Sequence, residues 1–425
     1  MYRPKFEHYL DPGGGLAKDR ATSEPTSPSA SELAISPVMT SPPSPSRRSA
    51  VAPFLAMDVL REARELERQG RKIVHMELGE PGAPAPLAVR DAAAEALRKG
   101  VIGYAEALGQ ADLRERIARH YAKEYGVDVA PARIVVTTGS SGAFLLSFLA
   151  AFDPGARIAI TAPGYPAYAN ILESLGLEPV VVEVGPQTRY APTAALLEAA
   201  HKERRIDGAL LMSPANPTGA MIAAEELARI CAFCDEAGIL FLSDEIYHGL
   251  AYETRCETAL RFSQRAVVIN SFSKYYAMTG WRLGWLVAPE TLVRPIERLQ
   301  QSLAISAPTL AQAAALAAFD ATAELEAIKA SYARSRALLV DRLPRIGFTD
   351  FAPPDGAFYI YADVSRFTGD SMAFCKRVLE EAGVATTPGV DFDRSRGART
   401  LRFSYAGPES EIALGVERLA AWLRR

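Results

Sequence analysis

Cysteine is scarce: 4 in 425 residues. That is too few to staple a secreted fold, and a chain this long buries a core large enough to need no staples. A reducing compartment, the cytoplasm, is the expected location. Charge of one sign is also missing, with 47 Lys plus Arg against 50 Asp plus Glu and a net charge of -3. A protein whose affinity comes from neutralising nucleic-acid phosphates or anionic lipid is not balanced in this way, so neither nucleic acid nor membrane is an expected partner. Long apolar runs are lacking too. The longest, around Leu145 to Phe152, falls well short of the roughly 20 residues that cross a bilayer. Histidines number 5, and none shares a metal-ligand spacing with the Cys231–Cys234 CxxC, so no metal site is expected.

The first fifty residues differ from the rest. Asp11 to Ser49 is crowded with Pro, Ser, Thr and Gly and has almost no large apolar residue, so it cannot offset its ordering entropy by burial. Residues 1–49 are expected to be a disordered tail. They lack the apolar centre of a secretory signal, and their acidic residues argue against a transit peptide. Val59, Leu60, Ala63 and Leu66 then recur at helical spacing on a segment that stops at Gly70. Short apolar runs follow at 134–138, 157–161, 208–212, 239–243 and 266–270, each closed by Gly, Pro or Asn and mostly separated by helical stretches. Strands apolar on both faces and alternating with helices predict a parallel α/β sheet covered on both sides. After about Ala318 the character changes to a long helix near 323–343 and two strand-like runs at 357–361 and 399–405. The expected fold is therefore α/β, a large domain with a mostly parallel sheet flanked by helices plus a smaller α+β domain. Its expected boundaries are 94–317 for the large domain, and 50–93 with 318–425 for the small one.

In open parallel sheets ligands sit beyond the carboxyl ends of the strands, so those ends are where chemistry is sought. The first run is followed by Gly139-Ser140-Ser141-Gly142, which opens an apolar helix and offers backbone N–H groups, hydroxyls and a positive helix terminus to an anion. Alone, such a turn is as readily a simple helix cap. The third run leads into SPANPTG at 213–219, where two prolines and a glycine hold the Asn216 amide rigidly, or merely make a tight turn. Asp244 follows four apolar residues and Ser243, so it must be desolvated or face something positive. Lys274 lies near the end of the fifth run among hydroxyls, with Arg282 eight residues on. Lysines normally reach into solvent, and one at a buried strand end is a candidate nucleophile. One ligand accounts for all four ends together: a ring with a phosphate, a nitrogen that benefits from protonation, a phenolic oxygen and an aldehyde that condenses with lysine. That ligand is pyridoxal phosphate.

The stretches NSFSKYYAMTGWRLGW at 270–285, SPANPTG at 213–219, SDEIY at 243–247 and RFSYA at 402–406 resemble the class I/II aminotransferases of the aspartate-aminotransferase-like fold, and the resemblance covers nearly all of residues 51–425. It implies a homodimer with active sites at the subunit boundary and a ping-pong amino transfer from an α-amino acid to a 2-oxo acid. It also implies a role for each matching residue. Lys274 would bind the cofactor aldehyde and carry the proton, and Asp244 would partner the ring nitrogen. Asn216 and Tyr247 would hold the phenolic oxygen. Ser140, Ser141, Ser271 and Arg282 would hold the phosphate, for which an Arg fork is well shaped. Tyr165 would stack on the ring, and Tyr104 would reach the phosphate of the neighbouring subunit. Arg402 would clamp the substrate carboxylate, with Gly79 beside it.

The same scaffold supports a lyase, by β-elimination or decarboxylation, and motifs barely report which Cα bond is cleaved. A cofactor-sensing regulator is the reading from another class, but the Pro/Ser-rich tail cannot form the helix-turn-helix that this would need. The CxxC at 231–234 falls on an amphipathic helical pattern, His248 reads as a structural histidine, and Trp281 and Trp285 read as packing.

Overall fold

The computed structural model describes residues 44–100 and 102–425. The predicted tail lies outside the described residues except for its last few positions. Ser46–Arg425 form one compact unit.

Its strands are β1 (Val74–His75), β2 (Ile134–Thr137), β3 (Arg157–Ala162), β4 (Glu178–Glu183), β5 (Gly208–Met212), β6 (Leu240–Asp244), β7 (Val267–Ser271), β8 (Gly284–Val287), β9 (Tyr359–Asp363), β10 (Val384–Ala385), β11 (Thr387–Pro388) and β12 (Thr400–Ser404). Seven form the main sheet in the order β2-β8-β7-β6-β5-β3-β4. The five apolar runs of the sequence are β2, β3, β5, β6 and β7. Two strands complete the sheet that the sequence reading did not single out. One is the edge strand β4. The other is β8, the sheet's one antiparallel member, paired with both β2 and β7. The connection from β7 to β8 spans only 272–283, too short for the helical crossover that a parallel return needs.

Alternate residues of these strands enter two different cores, which is why the runs are apolar throughout. Val135, Leu210, Leu242 and Ile269 pack in one core. Ile134, Val136, Ala209, Leu211, Phe241 and Val268 pack in the other. At about 25 cal/mol per Å² of apolar surface removed from water, two such layers dominate the stability of the unit.

The first core continues into a three-stranded antiparallel sheet, β11-β12-β9, through Tyr359, Ile360 and Phe403. The helices Thr322–Arg345 and Glu409–Leu423 join it through Tyr332, Leu339, Ile412 and Leu419. The two-residue strands β1 and β10 pair in parallel nearby. A domain boundary at 93/94 cuts the helix Leu87–Lys99. Its Val89 and Ala93 share the second core with Ala311 and Ala314 of the helix Thr309–Ala318, so this helix belongs with the main sheet.

Because β2, β5, β6 and β7 run the same way, their carboxyl ends lie along one edge. Gly139, Ser213–Gly219, Asp244–Tyr247 and Ser271–Lys274 all follow from that edge.

Candidate active site

A cavity of about 300 Å³ opens at this edge. Ten of the twelve residues singled out in the sequence line it: Gly79, Ser140, Ser141, Tyr165, Asn216, Asp244, Tyr247, Lys274, Arg282 and Arg402. The other two do not. Ser271 is buried just behind the lining, where its hydroxyl donates to the Leu283 carbonyl at 3.0 Å and its neighbour Ser273 reaches the cavity instead. Tyr104 is 83% exposed and stands away from its own chain's cavity.

At one end lies Asp244, 1% exposed. Its oxygens accept the Tyr168 hydroxyl and, at 3.0 Å, the Ile246 N–H. No cation of the described residues forms an ion pair with it. Burial pushes its carboxyl up to about 7, against the pull of those two hydrogen bonds and of the Lys274 charge. The adjacent Glu245 points elsewhere. Its carboxylate accepts the Ser243 and Thr258 hydroxyls and the Ala259 N–H, and burial raises it to about 8. His248 stands behind it, 3.4 Å from Glu245 and hydrogen-bonded to the Tyr125 hydroxyl at 2.8 Å, outside the cavity.

Lys274 projects into the middle. Its Nζ donates to the Gly79 carbonyl at 2.6 Å and lies 5.9 Å from the Tyr247 ring centre. Burial, reinforced by the charge of Arg402, lowers its ammonium to about 8, so a useful fraction is the nucleophilic free amine near neutral pH. Gly79 has no alternative here, because a Cβ would sit 1.9 Å from the Tyr359 hydroxyl oxygen.

At the far end the helix Gly139–Ala151 begins, and its first-turn residues Ser140 and Ser141 line the cavity together with Arg282, with the free N–H groups of a helix start beside them. Gly139 has φ +73°, and a Cβ there would meet an Arg282 guanidinium nitrogen at 2.6 Å. Glycine alone allows arginine to lie over the helix end. Hydroxyls, a helix N-terminus and a guanidinium form an anion cradle.

Arg402, on β12, is 2% exposed. It donates to Asn216 Oδ1 at 2.9 Å and to the Glu77 carbonyl, and it is sandwiched between the Tyr359 and Phe392 rings at 4.5 and 4.7 Å. Its Nε has no partner, so one buried donor remains to be satisfied. The Tyr247 hydroxyl pairs with that of Tyr359 at 2.6 Å. The sequence did not single out Tyr168 or Tyr359 for these positions. Nothing local marks them, since their contacts bridge 76 and 112 residues of chain. Cys231 and Cys234 are buried in the second core on the helix Ala224–Ala237, and all four cysteines are free.

The class I and II aminotransferase family model matches residues 71–419. The valine–pyruvate aminotransferase of Mycobacterium tuberculosis is 50% identical over 380 residues, 88% of this chain and 97% of that one. The aspartate/prephenate aminotransferase of Thermus thermophilus is 33% identical over 384 residues, 89% and 98% of the two chains. A crystal structure of an aminotransferase from Mycobacterium tuberculosis superposes with a TM-score of 0.88 at 49% identity, covering 90% of this chain and all of that one. Pyridoxal phosphate is the family's cofactor, and the residues present suit it: an uncompensated buried carboxylate, an amine of lowered pKa and an anion cradle share one cavity. The chain therefore belongs to the class I and II aminotransferases, enzymes that use pyridoxal phosphate to move an amino group from an amino acid to a 2-oxo acid.

Proposed function

We propose that this enzyme takes its amino group from a neutral amino acid with an apolar side chain, valine-like in size, and returns it to a small 2-oxo acid such as pyruvate in two ping-pong half-reactions. The carrying observation is the census of charge in the cavity. Its lining cations are Lys274, Arg282 and Arg402, each already matched to one task, while Phe54, Met57, Leu78 and Tyr165 are among its apolar lining and Glu80 lines it too. A second carboxylate on the substrate would meet no cation of this chain and one anion. The name of the Mycobacterium tuberculosis relative supports the same reading.

When bound, the cofactor supplies an electron sink that makes the substrate Cα–H removable. The chain's own residues do the rest. Asp244 holds a positive charge at the ring nitrogen, and Asn216 and Tyr247 hold the phenolic oxygen. Ser140, Ser141, Ser271 and Arg282 hold the phosphate, Ser271 acting from behind through Ser273. Tyr165 covers one ring face. Arg402 fixes the substrate carboxylate, with Gly79 beside it, and so orients Cα. Lys274 would hold the cofactor aldehyde and would move the proton at the substrate Cα. Tyr104, exposed on its own chain, is assigned to the site of a second copy, which makes the enzyme a homodimer. Four unpaired cysteines support a cytoplasmic location. The chain divides into a large domain around the main sheet and a small one around β9, β11 and β12, with the boundary moved ahead of Leu87.

The test is a donor panel of valine, alanine, phenylalanine and aspartate against pyruvate. Stoichiometric alanine from valine is expected. Preference for aspartate would overturn the substrate class, and ammonia release without amino transfer would overturn the reaction.

A further inference from the structure

We infer that Asp391 is a positioning residue that fixes the wall of the substrate side-chain pocket and thereby sets the preference for branched apolar amino acids over alanine. The inference rests on the substrate class proposed above.

The wall is the start of the helix Leu55–Arg68, where Phe54, Ala56 and Met57 line the cavity. That helix begins at Phe54, which has no side-chain oxygen to cap it. Its first free N–H groups are taken instead from far along the chain. Leu55 N–H donates to Asp391 Oδ1 at 3.0 Å and Ala56 N–H to Asp391 Oδ2 at 3.3 Å. One buried carboxylate thus satisfies two orphan donors and sits at the positive end of the helix. Two further contacts locate the segment. The Phe54 ring meets Tyr165 edge-on at 5.9 Å, and Asn170 Nδ2 donates to the Ala52 carbonyl at 3.0 Å.

The residue after Asp391 is Phe392, which packs against the Arg402 guanidinium. One short turn, Gly389–Asp391 with Phe392, therefore sets both the clamp for the substrate carboxylate and the wall opposite it. For a substrate held at Arg402 and at Lys274, Phe54, Met57 and Leu78 are part of the apolar surface open to its side chain. The distance between clamp and wall is fixed by the Asp391 carboxylate, without Asp391 lining the cavity itself.

The test uses the cofactor-loaded enzyme with valine and with alanine as donors. Asp391→Ala should lower the valine-to-alanine ratio of kcat/KM by about tenfold, the discrimination that one or two methylenes supply in an apolar pocket. The loss should appear in the KM for valine and exceed any change on alanine. Asp391→Asn, which keeps an acceptor oxygen for the helix, should recover most of the ratio. Phe54→Ala, which removes the wall and leaves the cap, should reproduce the loss. An unchanged ratio in Asp391→Ala, an equal loss on both donors, or loss of the cofactor would overturn the inference. Failure of the wild-type enzyme to use either donor would instead overturn the substrate class beneath it.

Discussion

Removing the Tyr168 hydroxyl tests how Asp244 is kept ionised in a site that hides it from water. Burial pushes that carboxyl up to about 7, and the Tyr168 hydrogen bond is the first of the forces opposing it. A hydrogen bond to a charged group contributes about 1.5–3 kcal/mol, and one pK unit corresponds to about 1.4 kcal/mol. Tyr168→Phe should therefore raise Asp244 by about 1–2 units. The phenyl ring keeps its place against Phe144 and Tyr165, so packing changes little. The readout is cofactor affinity of the apoprotein against pH, measured in a Lys274→Ala background so that the lysine, itself lowered to about 8, adds no proton dependence. Only ionised Asp244 attracts a protonated ring nitrogen, so affinity should strengthen as pH rises through the Asp244 pKa, which lies above its native value of about 7 once the Lys274 charge is gone. In the Tyr168→Phe protein the same rise should lie about 1–2 units higher. Coincident midpoints in the two proteins would show that Tyr168 does not govern the carboxylate and would refute the argument.

Lys274→Ala in the otherwise native enzyme should abolish turnover and the borohydride-trapped cofactor adduct while leaving the far-UV spectrum intact; persistence of that adduct would mean another lysine is used. Arg402→Lys loses the planar fork that meets Asn216 and that we propose as the clamp for the substrate carboxylate, so the KM for amino acids should rise about 10- to 100-fold, corresponding to about 1.5–3 kcal/mol for a charged hydrogen bond. A KM unchanged in steady-state assays would remove Arg402 from the clamp. His75, hydrogen-bonded by Glu77 and Glu67, is raised to about 9 from an unfolded value near 6.5. Its folded pKa is the higher, so the stabilisation is full below about 6.5 and is lost as pH rises through about 9. The wild-type advantage over His75→Gln in urea unfolding should shrink across that window. It should be modest because the ring is partly exposed, and a difference that stays flat with pH would contradict the assignment.

The sequence showed the parts of the site that depend on strand ends. Gly139 and Asp244 follow an apolar run directly and Asn216 and Lys274 stand four residues past one, so counting along the chain finds them. The antiparallel strand β8 left no such mark. Gly-Trp-Leu-Val reads alike in either direction, and only the length of the link from β7 sets its sense. The edge strand β4 is half solvated, with Val181 55% exposed, so it lacks the unbroken apolar signature of the inner strands. Tyr168, Tyr359 and Asp391 were illegible for a different reason. Each acts through a side-chain contact that closes only when distant segments meet, and neither composition nor spacing carries that information.

The hydroxyl pair of Tyr247 and Tyr359 joins the loop after β6 to the first residue of β9, so it couples the candidate site to the smaller sheet. A hinge movement of that sheet would unlatch this pair and leave the Tyr247 oxygen with one hydrogen-bond partner fewer. With Tyr247 proposed at the phenolic oxygen, the colour of the cofactor-loaded enzyme becomes a gauge of whether that pair is intact, readable in a spectrophotometer without any added label.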